Sequence, residues 1–84
     1  MYNKVKKILD ISREKEVDIL VACDMAINEE RNEKEAYNEA CNVIQSYYNY
    51  ITAARNADDE GAIKNLCNLY EAGEFEKIRE LIKK

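Results

Sequence analysis

The chain contains no proline, and glycine stands only at Gly61 and Gly73. Proline breaks a helix by removing an N–H and clashing with the preceding turn, and glycine loosens one. A chain nearly free of both is punctuated by its capping residues alone, which suits helices joined by tight connections. The apolar residues never alternate with a period of two, so no strand is predicted. The expected fold is all-α, a small bundle of four to five helices.

Five segments follow from the apolar periodicity and the caps. The first covers residues 3–10 and stops before Ile11-Ser12, where Ser12 is placed to cap the next. The second runs over 13–30. Asn32 and Glu35 form a capping-box signature for a third helix over 33–57. Asp58 and Asp59 offer carboxylates to the free N–H groups of a fourth, over 59–72. Gly73 suits the left-handed position that follows it. A fifth helix, 74–83, ends on Lys83 and Lys84, whose charges favour a helix C-terminus. The two long segments are expected to pair as an antiparallel hairpin, backed by the short first helix and a C-terminal helical pair. Residues 1–84 make a single domain.

The apolar faces separate these helices. In the third, Tyr37, Ala40, Cys41, Ile44, Tyr48 and Ile51 share one side of the wheel. In the fourth, Ile63, Leu66, Cys67 and Tyr70 do so, and the fifth is expected to bury Phe75, Ile78, Leu81 and Ile82. The second helix differs. From Val17 to Ile27 it is apolar on nearly every side, interrupted only by Asp18 and Asp24, with Asn28 following. A helix of that kind is central in its bundle or buried against a second chain. Self-association as a homodimer, through Val17, Leu20, Val21, Asp24, Ile27 and Asn28, is therefore weighed against a central helix in a monomer. Asp24 must face solvent, find a partner, or lie at an interface, because an unpaired buried carboxylate is costly. With Asn28 one turn later it forms either a narrow wet strip or a polar seam that fixes helix register.

Composition removes several function classes. There is no histidine, the commonest general base and metal ligand at neutral pH. Cys23, Cys41 and Cys67 have no Cys-x-x-Cys spacing and sit on or near apolar faces, where a free cysteine behaves as a small hydrophobe. No glycine-rich phosphate loop is present. The chain is expected to be non-enzymatic, with no cofactor and no metal. A formal net charge of −4 and a pI near 4.9 argue against nucleic acid as the main partner. Charged residues make up 36% of the chain, and no apolar run approaches the ~20 residues that span a bilayer. The basic opening lacks a hydrophobic stretch of signal-peptide length, and three widely spaced cysteines are no disulfide framework. A cytoplasmic location follows as the expectation.

Two acidic groups have ordinary explanations. Asp58-Asp59-Glu60 lacks the alternating ligands and central glycine of a calcium loop, and helix capping accounts for it. Glu29, Glu30, Glu33 and Glu35, interleaved with Arg31 and Lys34, form either a solvated turn or an acidic knob for a basic partner.

The outer face of the third helix reads Asn38, Asn42, Gln45, Asn49 and Asn56, almost entirely amide where charge is usual. Carboxamides both donate and accept hydrogen bonds, so the row suits a polar contact without charge steering. Tyr50 lies at its margin, and tyrosines at such margins are frequent in contact surfaces. Asn38, Asn42, Gln45, Asn49 and Tyr50 are predicted to touch a partner protein. Richness in Asn, Ile and Lys, nine of each, also matches an A/T-rich coding source such as a low-GC bacterium, its phages or its plasmids.

Two stretches resemble known families. Leu66-Cys67-Asn68-Leu69-Tyr70-Glu71-Ala72-Gly73-Glu74-Phe75-Glu76-Lys77-Ile78 resembles the inner turn of a tetratricopeptide repeat, with Cys67 and Ile78 where small residues are usual. The resemblance implies a tight helical hairpin and nothing about a ligand. Val5-Lys6-Lys7-Ile8-Leu9-Asp10-Ile11, with Val17-Asp18-Ile19-Leu20 following, is similar to the opening of phage head–tail connector proteins, which implies a place in a symmetric particle. The function expected first is a small protein-interaction module, a regulator or inhibitor from a bacterium, phage or mobile element that occludes a partner surface. The alternatives are a structural component of an assembly and a helical binder of a small ligand.

Overall fold

In the computed structural model, which describes residues 1–83, the chain forms six α-helices, one 3-10 turn and no strand among the described residues. They are α1 (Tyr2–Lys15), α2 (Ile19–Glu29), the 3-10 turn Arg31–Glu33, α3 (Lys34–Ser46), α4 (Tyr48–Asn56), α5 (Glu60–Glu71) and α6 (Phe75–Ile82). The all-helical expectation is met. Lys84, one of the two terminal lysines expected to favour the last helix, lies outside the described residues.

The helix ends explain where the boundaries fall. Three helices close on a residue in the left-handed conformation: Glu16 (φ 54°) after α1, Asp58 (φ 54°) after α4 and Gly73 (φ 73°) after α5. In each case the next residue's N–H reaches back to a carbonyl of the last turn. Val17 donates to Ser12 at 3.1 Å, Asp59 to Ala54 at 2.8 Å and Glu74 to Leu69 at 2.9 Å. These bonds satisfy carbonyls that a helix end otherwise leaves open. Two of the three turns lead into an aspartate cap: Asp18 Oδ2 accepts from the Leu20 N–H at 3.0 Å, and Asp59 Oδ1 from the Ala62 N–H at 3.1 Å.

Only Gly73 carries a left-handed turn at no steric cost. Glu16 is exposed and holds the same conformation against its own Cβ. Glu16→Gly is therefore expected to stabilise the fold by about 0.5–1 kcal/mol, raising the melting midpoint by about 5 °C. Thermal unfolding followed by circular dichroism measures it, and an unchanged or lower midpoint contradicts the turn geometry.

The long-hairpin expectation is corrected. The first helix does not stop at residue 10 but runs to Lys15, and Ser12 is a buried residue within it rather than a cap. The second helix is shorter than 13–30 because the chain turns at Glu16–Asp18. The capping box at Asn32 and Glu35 does not form: the chain makes the 3-10 turn there, and α3 starts without a side-chain cap. The helix expected over 33–57 is broken at Tyr47, whose φ of −123° and ψ of 36° leave the helical region. Unbroken, that helix would be roughly 37 Å long at 1.5 Å per residue, more than the molecule's longest extent of 34 Å. The break lies in Ser46-Tyr47-Tyr48-Asn49-Tyr50, a run of poor helix formers.

The core draws on every helix: Val5 and Ile8 from α1, Ile19 from α2, Ile44 from α3, Ile51 from α4, Leu66 from α5 and Ile78 from α6 are all essentially inaccessible. The helices α1, α2 and α3 pack on one another pairwise, α5 joins them through α1 and α4, and α6 packs on α5. The C-terminal helical pair is present, turned by Gly73. Because α2 packs mainly on α1, α3 and the 3-10 turn, one side of it is left exposed.

Candidate functional site: the outward face of α2

Eleven residues long, α2 divides cleanly. Ile19, Ala22, Cys23 and Ala26 are buried against α1 and α3. Positions 20, 21, 24, 27 and 28 fall together on the opposite side of the wheel. Leu20 is 41% exposed and Val21 48% exposed. Asp24 and Asn28 are exposed as well, while Ile27 and Val17 are half-buried. Five of the six residues expected to mediate self-association thus share one outward helical face, and Val17 lies in the turn before it. Of the two settings expected for α2, enclosure within its own chain is not found: one face is core and the other is exposed. Asp24 is exposed on this face, not inside the bundle.

A hydrogen bond the sequence does not announce fixes the start of this face. Asp18, the cap of α2, accepts from the Tyr48 hydroxyl at 2.7 Å as well as from Leu20. The Tyr48 hydroxyl, and after it the Leu20 N–H, hold the Asp18 carboxyl below its ordinary range, while the same carboxylate pushes the Tyr48 hydroxyl up. Beneath it, Ser12 Oγ donates to the Val17 carbonyl at 2.5 Å and accepts from Arg55 at 2.8 Å. Arg13 reaches Asp58 at 3.2 Å alongside. The turn from α1 to α2 is therefore anchored to α4 at two points.

Asp18→Ala is expected to lower the melting midpoint at pH 7 by about 5 °C. The sign of its pH dependence follows from the depressed carboxyl. Its contribution is complete above the unfolded value of about 3.9 and fades as the pH drops through the lower folded value. The gap between wild type and variant should therefore narrow below about pH 4. An equal gap at pH 7 and pH 3 contradicts the assignment.

The amide row is divided by the break at Tyr47. Asn38, Asn42 and Gln45 are exposed on α3 and Asn49 on α4, but Tyr50 is half-buried and burial raises its hydroxyl pKa, with the Asp59 charge adding to the effect. The four amides remain available to a partner; Tyr50 offers only part of its ring.

At the break, neighbouring tyrosines diverge. Tyr48 goes to Asp18, and Tyr47 meets Tyr70 edge-on, with centroids 6.5 Å apart; Tyr70 in turn meets Phe75 at 5.7 Å. The expectation that the last helix buries its whole apolar face is corrected. Only Ile78 is buried, Phe75 is 51% exposed and Ile82 41% exposed. Eight residues long and packed on α5, α6 has too little neighbouring surface to cover them.

The remaining candidates have structural roles. Cys23, Cys41 and Cys67 are free and buried, and burial pushes all three thiols up, Cys67 to about 11. Thiols so raised are poor nucleophiles. At the acidic turn, Glu33 pairs with Lys4 at 2.9 Å and Glu30 with Lys7, so two of the three lysines of the basic opening tie α1 to that turn. No helix among the described residues is long and apolar enough to cross a membrane. Set against known proteins, the chain matches no family model, no curated protein and no solved structure.

Proposed function

We propose that the protein is a small non-enzymatic interaction module that works by covering a surface of another protein with the outward face of α2. The observation that carries this reading is the pair Leu20 and Val21, large apolar residues left in water on a helix whose other face is core. Exposed apolar residues scattered singly need no explanation, but Leu20 and Val21 stand next to each other in the first turn, with Asp24 and Asn28 between them on the wheel in the turns that follow. In the helix-in-groove mode anchors stand one or two turns apart on one face, a spacing that Leu20 and the half-buried Ile27 supply, with Val21 beside them. The amides Asn38, Asn42, Gln45 and Asn49 supply a second, polar surface, with Tyr50 at its margin. The role in mind is that of a regulator or inhibitor of bacterial, phage or mobile-element origin.

Affinity capture from cells of the source organism tests the reading. The wild-type chain should retain a partner protein that Leu20→Glu/Val21→Glu loses by at least tenfold. Alanine at Asn42, Gln45, Asn49 and Tyr50 should weaken capture less, since rim polar contacts contribute less than central apolar anchors. Full retention by the α2 double variant, with helicity unchanged, contradicts the proposal.

A further inference from the structure

A second apolar depression lies at the other helical unit. Tyr47, Phe75, Ile78, Arg79, Ile82 and Lys83 line a groove of about 460 Å³ that opens to solvent. The exposed edges of Phe75 and Ile82 form its apolar mouth. Its charged lining is entirely cationic, from Arg79 and Lys83. Among the described residues Arg79 pairs with Glu76 of its own helix at 3.5 Å, a surface pair of little strength that a new partner can displace.

The outward face of α2 has the matching character. Among Leu20, Val21, Asp24, Ile27 and Asn28 the one charged side chain is Asp24, with no cation beside it; Asp18 is engaged as the helix cap and Glu30 is paired with Lys7. One surface is thus apolar with an acidic edge, and the other apolar with a basic edge. They belong to helices that pack on different neighbours, α2 on α1 and α3, and α6 on α5.

Resting on the reading of α2's outward face as a contact surface, we propose that the α6 groove receives that face from a second copy of this chain. Leu20 and Val21 enter between Phe75 and Ile82, and Asp24 faces Arg79 and Lys83. The charge pattern selects this arrangement over a symmetric α2–α2 dimer. Pairing α2 with itself offers Asp24 no cation from the same face and brings two like carboxylates toward each other, which repel. A contact between two different surfaces is heterologous, so each copy keeps a free strip and a free groove, and the assembly grows or closes into a ring.

Sedimentation equilibrium over a rising concentration series tests it, using wild type, Leu20→Glu and Phe75→Glu. Both substitutions fall at half-exposed positions, and Val21→Glu with Ile82→Glu repeats the design should either first variant lose helicity. Wild type is expected to exceed the 9.8 kDa monomer mass, and each variant alone to stay monomeric. An equimolar mixture of the two variants is the decisive arm. Leu20→Glu keeps an intact groove and Phe75→Glu an intact strip, so the mixture should give a single pair with a two-fold rise in mass. Monomeric wild type overturns the inference, as does a monomeric mixture. Normal association of Phe75→Glu also overturns it, in favour of the α2–α2 dimer. Monomeric wild type that still captures a foreign partner through Leu20 and Val21 leaves the functional reading standing and removes only this one.

Discussion

Ser12→Ala should cost about 2–3 kcal/mol, far more than loss of one hydroxyl group from a surface. Ser12 is 2% exposed, and its Oγ makes two bonds at once, donating to the Val17 carbonyl and accepting from Arg55. Alanine removes both, leaving a carbonyl at the α1–α2 turn and a guanidinium of α4 without their partner. A neutral hydrogen bond contributes about 1 kcal/mol net and one to a charged group about 1.5–3, with a further penalty where the abandoned group is screened from water. For a domain of this size, whose whole stability is about 5 kcal/mol, that is close to half. Urea denaturation measures it. Arg55→Ala should cost less, and the double variant should fall short of the sum, because both act on one network. A Ser12→Ala variant within about 0.5 kcal/mol of wild type would show that the junction does not hold α2 in place.

Leu66→Ala is expected to be still more damaging, at about 2–5 kcal/mol. Leu66 is completely buried on α5, the helix that packs against α1, α4 and α6. Truncation there removes a large apolar side chain and leaves a cavity at the point where the two halves of the molecule meet. Loss near the top of that range leaves a chain mostly unfolded at 37 °C, visible as lost ellipticity. A cost below about 1 kcal/mol would mean that α5 does not bind the halves together.

Much of this architecture is legible in the residues. Missing proline and strand periodicity give the all-α class, Asp59 gives the start of α5, and Gly73 its end. The failures have a common cause. Glu16 adopts the left-handed conformation usually marked by glycine, so the α1–α2 turn carries no visible stop signal. Ser12 is a favourable cap by type but is used inside a helix for a tertiary hydrogen bond. Tyr47 ends a helix whose apolar stripe runs on without interruption, because the break answers to packing between distant segments. Residue type places Leu20, Val21, Asp24, Ile27 and Asn28 on one face of a helix through its period. Which side of α2 would be core depended on α1 and α3, and no local pattern reports that. The exposure of Phe75 and Ile82 was hidden for the same reason: their apolar spacing reads as a buried face, and only the shortness of α6 leaves it uncovered.

Placing α2 at the edge of the bundle makes a specific account of function possible. A central helix would have only a structural role. An edge helix with Leu20 and Val21 in water is half core and half exposed, the exposed half being the contact surface proposed above, and the Asp18–Tyr48 and Ser12–Arg55 bonds give it a fixed orientation. Such prior ordering reduces the entropy lost on binding.

Hydroxyl-radical footprinting of the complex isolated from source cells, compared with the free chain, tests the contact surface directly. Oxidation at Leu20, Val21 and Ile27 should fall several-fold in the complex, while exposed positions elsewhere react as before. Equal reactivity of those three side chains in the bound and free forms would contradict the account.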